Sequence, residues 1–263
     1  MASKRSKVSP FYAYCVLRLE ADQEWPVFPG IDGRPVFPIR ESRLAMLVSR
    51  LETGFKMNAQ SIIEHGRVVH RVFERHTVLP FRFGTTFDTE NHVRQVLVAN
   101  RAAFLESIQQ LRGKAEMHVK VLLNAVVPLL GLGSTHALRP DAMGGQEQLV
   151  CWASQRLQGT FRPLSEQVAV RSLQNGDWLV DFAHLIDEGS VAAYQKAFAR
   201  AADQMKECQV LVSGPWPPYH FLPTAIRMPA ASEVQLNPGR RPARRGSAAA
   251  VPVPQLQSRA AKA

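Results

Sequence analysis

Cysteine is scarce in this sequence. Cys15, Cys151 and Cys208 are the three among 263 residues, far apart, with no CxxC and no neighbouring histidine cluster. That scatter excludes a disulfide framework and a zinc-finger type of site, and a reducing cytoplasm is the expected compartment. Long apolar runs are lacking as well. The longest candidate, residues 121–133, is interrupted by Asn124 and Pro128 and falls short of the roughly 18 to 20 residues that cross a bilayer, so no membrane span is expected. The apolar stretch after Lys4, Arg5 and Lys7 is cut by Arg18, Glu20 and Asp22. This is too short for a signal-peptide core, and residues 1–10 read as a basic tag leading into a first strand.

Negative charge is the minority, with 22 acidic against 32 basic residues and a net charge of +10. The excess is local. Three positive units sit in residues 1–10 and a net five in residues 229–263, leaving two for everything between. The last 35 residues hold no aromatic, five prolines and nine alanines, so they cannot bury enough apolar surface to offset the entropy of ordering. A disordered basic tail is expected at 229–263. Its Arg240, Arg241, Arg244 and Arg245 suit weak, non-specific contact with nucleic acid or an acidic surface, because an exposed Arg neutralises a phosphate without needing a fold. A solubilising tail with no dedicated partner is the plainer alternative.

Between the ends the composition is globular, with 46% hydrophobic and 21% charged residues overall. Residues 11–19 (FYAYCVLRL) read as a strand, a turn-rich loop follows, and residues 36–40 and 43–49 read as two short strands, the second weakly alternating enough to admit a helical turn. A helix is expected after Asn58, with Ser61 and Glu64 at capping-box spacing and Ile62, Val69 and Phe73 on its buried face. Residues 77–87 (TVLPFRFGTTF) look like one strand carrying Phe81, Phe83 and Phe87 on one side. Asp88 or Thr89 then caps a helix whose stripe of Val93, Leu97, Asn100, Phe104, Ile108 and Leu111 lasts until Gly113.

The second half runs strand (Met117, Val119, Val121, Leu123), helix (Leu149, Ala153, Leu157, Phe161), hairpin around Asn175-Gly176, helix (Val191, Tyr194, Phe198, Met205) and a last strand at 208–213. That is the βαββαβ order of a ferredoxin-like unit. The expected fold class is therefore α+β: an N-terminal α+β domain at 11–113, a ferredoxin-like domain at 114–228 and the tail.

Signatures of chemistry are few. GxxxxGK[ST], HExxH and GxSxG are absent, and Gly131 and Gly133 are followed by His136 where a dinucleotide loop needs its third glycine. His70 and Glu74 share a helix face but make no metal site alone, while Asp177 and Asp181 alternate to the strand face opposite His184. The phenylalanines suit a sheet core better than a stacking platform for RNA. No catalytic residue, cofactor or metal is expected.

Five segments carry a resemblance. Residues 78–87 (VLPFRFGTTF), preceded by a helix with His65, resemble the VLPxRFGTxF hallmark of the gas vesicle protein GvpL/GvpF family; residues 29–33 (PGIDG), 44–49 (LAMLVS) and 116–121 (EMHVKV) add to it; and residues 211–221 (LVSGPWPPYHF) are similar to the family ending TGPWPPYSF. The resemblance implies two α+β domains, the second a modified ferredoxin-like one. It also implies a non-enzymatic accessory role in the assembly of gas vesicles, with the shell protein or other accessory proteins as partners, in the cytoplasm and on the gas vesicle. Two departures stand out: about two dozen residues at 122–145 replace a longer helical insertion, and the basic tail extends past the usual end. Pro215, Trp216, Pro217, Pro218 and Tyr219 are the candidate partner-binding residues, since prolines fix an extended segment that presents Trp and Tyr at low entropic cost. Packing between the domains is an equal alternative for the same five. Arg82, Phe83 and Gly84 are expected to be structural, with Gly84 at a bulge or close approach. A nucleic-acid or acidic-surface binder acting through the tails is the alternative function.

Overall fold

A computed structural model describes residues 9–20, 22–52, 54–123, 143–175, 177–205, 208–223 and 226, all within one compact unit, Met1–Pro229. The expected tag up to residue 8, the 131–136 loop and the tail at 229–263 lie outside the described residues.

The first sheet is built on β1 (Phe11–Arg18), which lies between β4 (Leu44–Arg50) on one side and β5 (Val78–Pro80) with β6 (Thr86–Phe87) on the other; β3 (Pro35–Glu41) and β2 (Phe28–Pro29) extend it beyond β4. Its described pairings are antiparallel. Residues 44–50 are thus a strand, with no helical turn. The near-continuous apolar run of β1 has a direct cause: helices cover both of its faces. α1 (Ala59–Phe73) brings Val68, Val69 and Val72 against Tyr12, Tyr14, Cys15 and Leu17. On the other face α2 (Glu90–Ala99) and α3 (Arg101–Gln110) bring Val93, Leu97 and Phe104 against Phe11, Ala13 and Val16. A register shift between Ala13 and Cys15 is a bulge, and it explains why the alternation slips by one along this strand.

Three expectations need correction. First, the N-cap of α1 is Asn58, whose Oδ1 accepts from the Ser61 N–H at 3.0 Å while the Ser61 Oγ accepts from the Asn58 N–H at 3.3 Å. Starting there, the helix buries Ser61, His65, Val68, Val69 and Val72, and Ile62 is left 54% exposed, a hundred degrees off that stripe. Glu64 instead accepts from the Asp32 N–H. Second, residues 77–87 are two short strands separated by a turn. Thr85 N–H donates to the Arg82 carbonyl and Gly84 adopts φ +91°, so Phe81 and Phe87 stay in the core while Phe83 swings to the opposite side beside Tyr12 and His65. Third, the helix starting after Thr89 is two helices. Every residue of its stripe is buried, but Asn100 turns its amide back onto the Val96 carbonyl at 2.8 Å and leaves helical geometry, a competition for backbone that Asn side chains favour.

The second sheet contains β7 (Lys114–Leu123), β8 (Gln167–Asn175), β9 (Asp177–Asp187) and β10 (Gln209–Trp216) in the order β10-β7-β9-β8. Its neighbours are antiparallel, and Asn175 pairs with Asp177 across the hairpin. α4 (Met143–Phe161) and α5 (Val191–Gln204) cover one face, packing Leu157, Phe161, Tyr194 and Ala197 on Val119 and Phe182. The opposite face turns inward as well: Leu185 of β9 belongs to the core that α2 and α3 build on the first sheet. Two differently lined faces therefore back onto each other across a single layer of strands.

Candidate functional site

Between the two sheets, on the inward face of β7, a polar cluster interrupts the apolar packing. Alternation puts Glu116 and His118 on that face, and antiparallel pairing brings Asp181 of β9 onto it beside them. The fourth member arrives from 104 residues away. After Trp216 the chain leaves the sheet, and His220 comes back over Glu116: its backbone N–H donates to Glu116 Oε2 at 2.8 Å and its Nδ1–H to Oε1 at 2.7 Å. His118 lies between two carboxylates, Nε2 at 2.6 Å from Glu116 Oε1 and Nδ1 at 2.7 Å from Asp181 Oδ1. Both its ring nitrogens face acceptors, so both carry protons and the ring is an imidazolium.

Burial alone would lower the His118 pKa; the hydrogen bonds to Asp181 and Glu116 outweigh it and push it up to about 9. The same competition acts on the carboxylates. Burial works to raise Glu116, only 1% exposed, but hydrogen bonds from His118 and from both the ring and the backbone of His220 hold it below its ordinary value. Asp181 is lowered likewise, chiefly by its bond from His118 against the effect of burial.

The segment that carries His220 divides the five expected binding residues. Pro215 and Trp216 are exposed, Trp216 at 42%, whereas Pro217 and Pro218 are buried and Tyr219 packs on the Tyr12–Val72 side of the first core. Phe221, Leu222 and Ile226 follow onto the other core of the same sheet. The segment thus fastens the end of the second sheet to the first. Gly214 makes the departure geometry possible: its φ is +123°, and a Cβ there would lie 2.7 Å from Met117 Sδ and 2.8 Å from the Glu116 carbonyl.

Trp216 has a neighbour on the surface. Its ring meets the edge of His70 on α1 at 5.9 Å, and His70 ends a helical stripe with Ile63, Gly66 and Arg67. Ile63 is 50% exposed, and a Cβ at Gly66 would meet nothing within 4 Å. A shelf results that is apolar at its two ends, Ile63 and Trp216, with Gly66, Arg67 and His70 between them.

The hallmark turn has its own polar anchor. Gly84 N–H donates to the Tyr12 hydroxyl at 3.2 Å, and that hydroxyl donates to His65 Nδ1 at 2.9 Å. Burial holds His65 down at about 4, so it is the neutral acceptor this bond needs. Phe83 packs edge-on to His65, and Arg82 is exposed.

Sequence reasoning passed over Glu116, His118 and His220, and set Asp181 aside because alternation parts it from His184. Glu116 and His118 carry a readable signal, polar residues between Lys114 and Lys120 that alternate with the apolar Ala115, Met117, Val119 and Val121. Asp181 and His220 carry none until the strands are paired.

The comparisons with known proteins agree along most of the chain. The family model described as gas vesicle synthesis protein GvpL/GvpF matches residues 10–139 and 146–223. Gas vesicle protein F1 of Halobacterium salinarum is 24% identical over 215 residues, covering 80% of this chain and 92% of that protein. Gas vesicle protein F of a Streptomyces species is 24% identical over 237 residues, covering 80% and 98%. Among solved structures, that of GvpF from Anabaena superposes with a TM-score of 0.69 at 20% identity, covering 82% of this chain and 97% of that one. GvpF from Microcystis aeruginosa gives 0.64 at 19% identity, covering 81% and 98%.

Proposed function

The chain belongs to the gas vesicle GvpL/GvpF family, and on that premise we propose that it works in gas vesicle assembly by holding the shell protein, or another accessory protein, on the Ile63–Trp216 shelf. The accessory role itself goes with the family; the partner and the surface are the proposal. One observation carries it: Trp216 stays exposed at the end of a segment whose other large side chains are packed. A large aromatic left on the surface suits a partner's apolar side chain, and such anchors dominate binding energy at interfaces. We read the protein as a non-enzymatic binder acting in the cytoplasm and on the vesicle. Among the described residues no helix is long and apolar enough to cross a membrane.

The same reading takes residues 114–228 as a ferredoxin-like domain and 11–113 as a second α+β domain. The βαββαβ element order and the β10-β7-β9-β8 strand order support it. Arg82, Phe83 and Gly84 are read as structural, Gly84 through its positive φ and its bond to Tyr12.

Capture of a co-expressed shell protein tests the proposal. Trp216→Ala is expected to weaken capture by about 30-fold, the value of a hot spot near 2 kcal/mol, with Ile63→Ser acting in the same direction. Undiminished capture by both variants would move the partner elsewhere.

A further inference from the structure

The cluster at the join between the sheets has a composition that a hydrogen-bonded clasp does not require. Three atoms able to ligate a metal, Glu116 Oε1, His118 Nε2 and His220 Nδ1, converge within 4.8 Å of one another in a largely buried position. We propose that Glu116, His118 and His220 bind a divalent transition-metal ion of the zinc class, with Asp181 as the outer hydrogen-bond partner of His118.

Four features of the geometry support this. Two imidazoles and one carboxylate form a donor set that zinc-class ions favour over magnesium or calcium, which take oxygen. Asp181 Oδ1 lies 2.7 Å from Nδ1 of His118, the ring nitrogen pointing away from the site; metal-bound histidines characteristically have such an orienting carboxylate. Glu116 is anchored from behind, because its second oxygen accepts the His220 backbone N–H. Two carboxylates in a buried cluster are also balanced in charge by one divalent cation.

Protons bridge the ligand atoms here, at 2.6 and 2.7 Å. Ligands of a tetrahedral ion with bonds of about 2.0 to 2.1 Å stand about 3.3 Å apart, so each ring retreats from Glu116 by less than about 1 Å when the ion replaces those protons. His118 then keeps its Nδ1–H on Asp181. The ion joins β7 to the segment that follows β10, which makes it a staple between the two sheets.

The full-length protein, stripped with a chelator and titrated with Co2+, tests the proposal. One Co2+ per chain is expected, with the intense visible absorption of a four-coordinate ion, and Zn2+ is expected to displace it and raise the melting temperature. His220→Ala should abolish the band, His70→Ala should keep it, and Asp181→Asn should weaken affinity by about 10- to 100-fold. No band in folded wild-type protein overturns the proposal, as does a band retained by folded His220→Ala. Should that variant fail to fold, X-ray absorption of the zinc-loaded wild type decides: two imidazoles in the coordination shell uphold the site, while sulfur or oxygen-only coordination overturns it.

Discussion

The two faces of the second sheet hold histidines driven in opposite directions. His184 faces α4 and α5, stacked on Phe161 at 5.2 Å and accepting the Tyr194 hydroxyl at 2.6 Å, and burial takes its pKa down to about 4. His118, on the adjacent strand, faces the first sheet between two carboxylates and is pushed up to about 9. Met117 pairs with His184 and His118 with Ala183, so the two rings sit one residue apart in register. Burial disfavours the charge on both. What separates them is the company each face provides, one neutral hydroxyl donor against two anionic acceptors. One face of the sheet is held by apolar packing and the other by charge.

The sharpest way to break this contrast is Glu116→Ala, which leaves the His118 imidazolium with Asp181 alone and removes the side-chain acceptor of His220. A loss of about 3 to 5 kcal/mol in chemical denaturation is expected, typical of breaking one side of a buried ion pair. On the neutral face, Tyr194→Phe removes one hydrogen bond and keeps the packing, so about 1 kcal/mol is expected by the same method. If the two costs came out equal, the faces would not differ as described.

Titration of the metal-free protein sharpens the comparison further. His118 is raised above its ordinary 6.5, so its contribution is full below about 6.5 and fades as pH climbs through about 9. His184 and His65 are lowered from 6.5 to about 4; they cost nothing above about 6.5 and destabilise increasingly as pH falls towards about 4. Glu116 and Asp181, both lowered, add to that acid-side loss. The melting temperature should therefore peak near pH 6.5, and His118→Gln should flatten the alkaline limb while leaving a descending acid limb. An alkaline limb unchanged in that variant would contradict the imidazolium. The smallest effect is expected at the surface: Trp216→Ala should change stability by less than about 1 kcal/mol, whereas Tyr219→Ala, on the packed side of the segment, should cost more than Trp216→Ala in a melting scan.

Much of the fold was legible because its signals are local. The Asn175-Gly176 turn, the strand alternation of β7 and the buried stripe from Val93 to Leu111 depend on neighbours in sequence. The errors came where one backbone choice redirects several side chains. Gly84 at positive φ sends Phe83 away from Phe81 and Phe87, and Asn58 as the cap rotates α1 so that Ile62 leaves the core and His65 enters it. The clasp was beyond local reading altogether. Asp181 and His220 lie 63 and 104 positions from their partners, and neither position is marked by periodicity.

Tyr12 has a consequence that reaches past this one chain. Its hydroxyl is tied at once to the Gly84 backbone amide and the His65 ring, so a tyrosine in a strand and a histidine in a helix form one unit of inheritance, while the glycine is held by its own positive φ. Losing the phenol oxygen leaves a backbone amide and a buried imidazole without a partner, and replacing the histidine leaves the phenol without its acceptor. Tolerated change at positions 12 and 65 should therefore arrive in matched pairs across lineages, with Tyr12 as the position that records whether the pair is still intact.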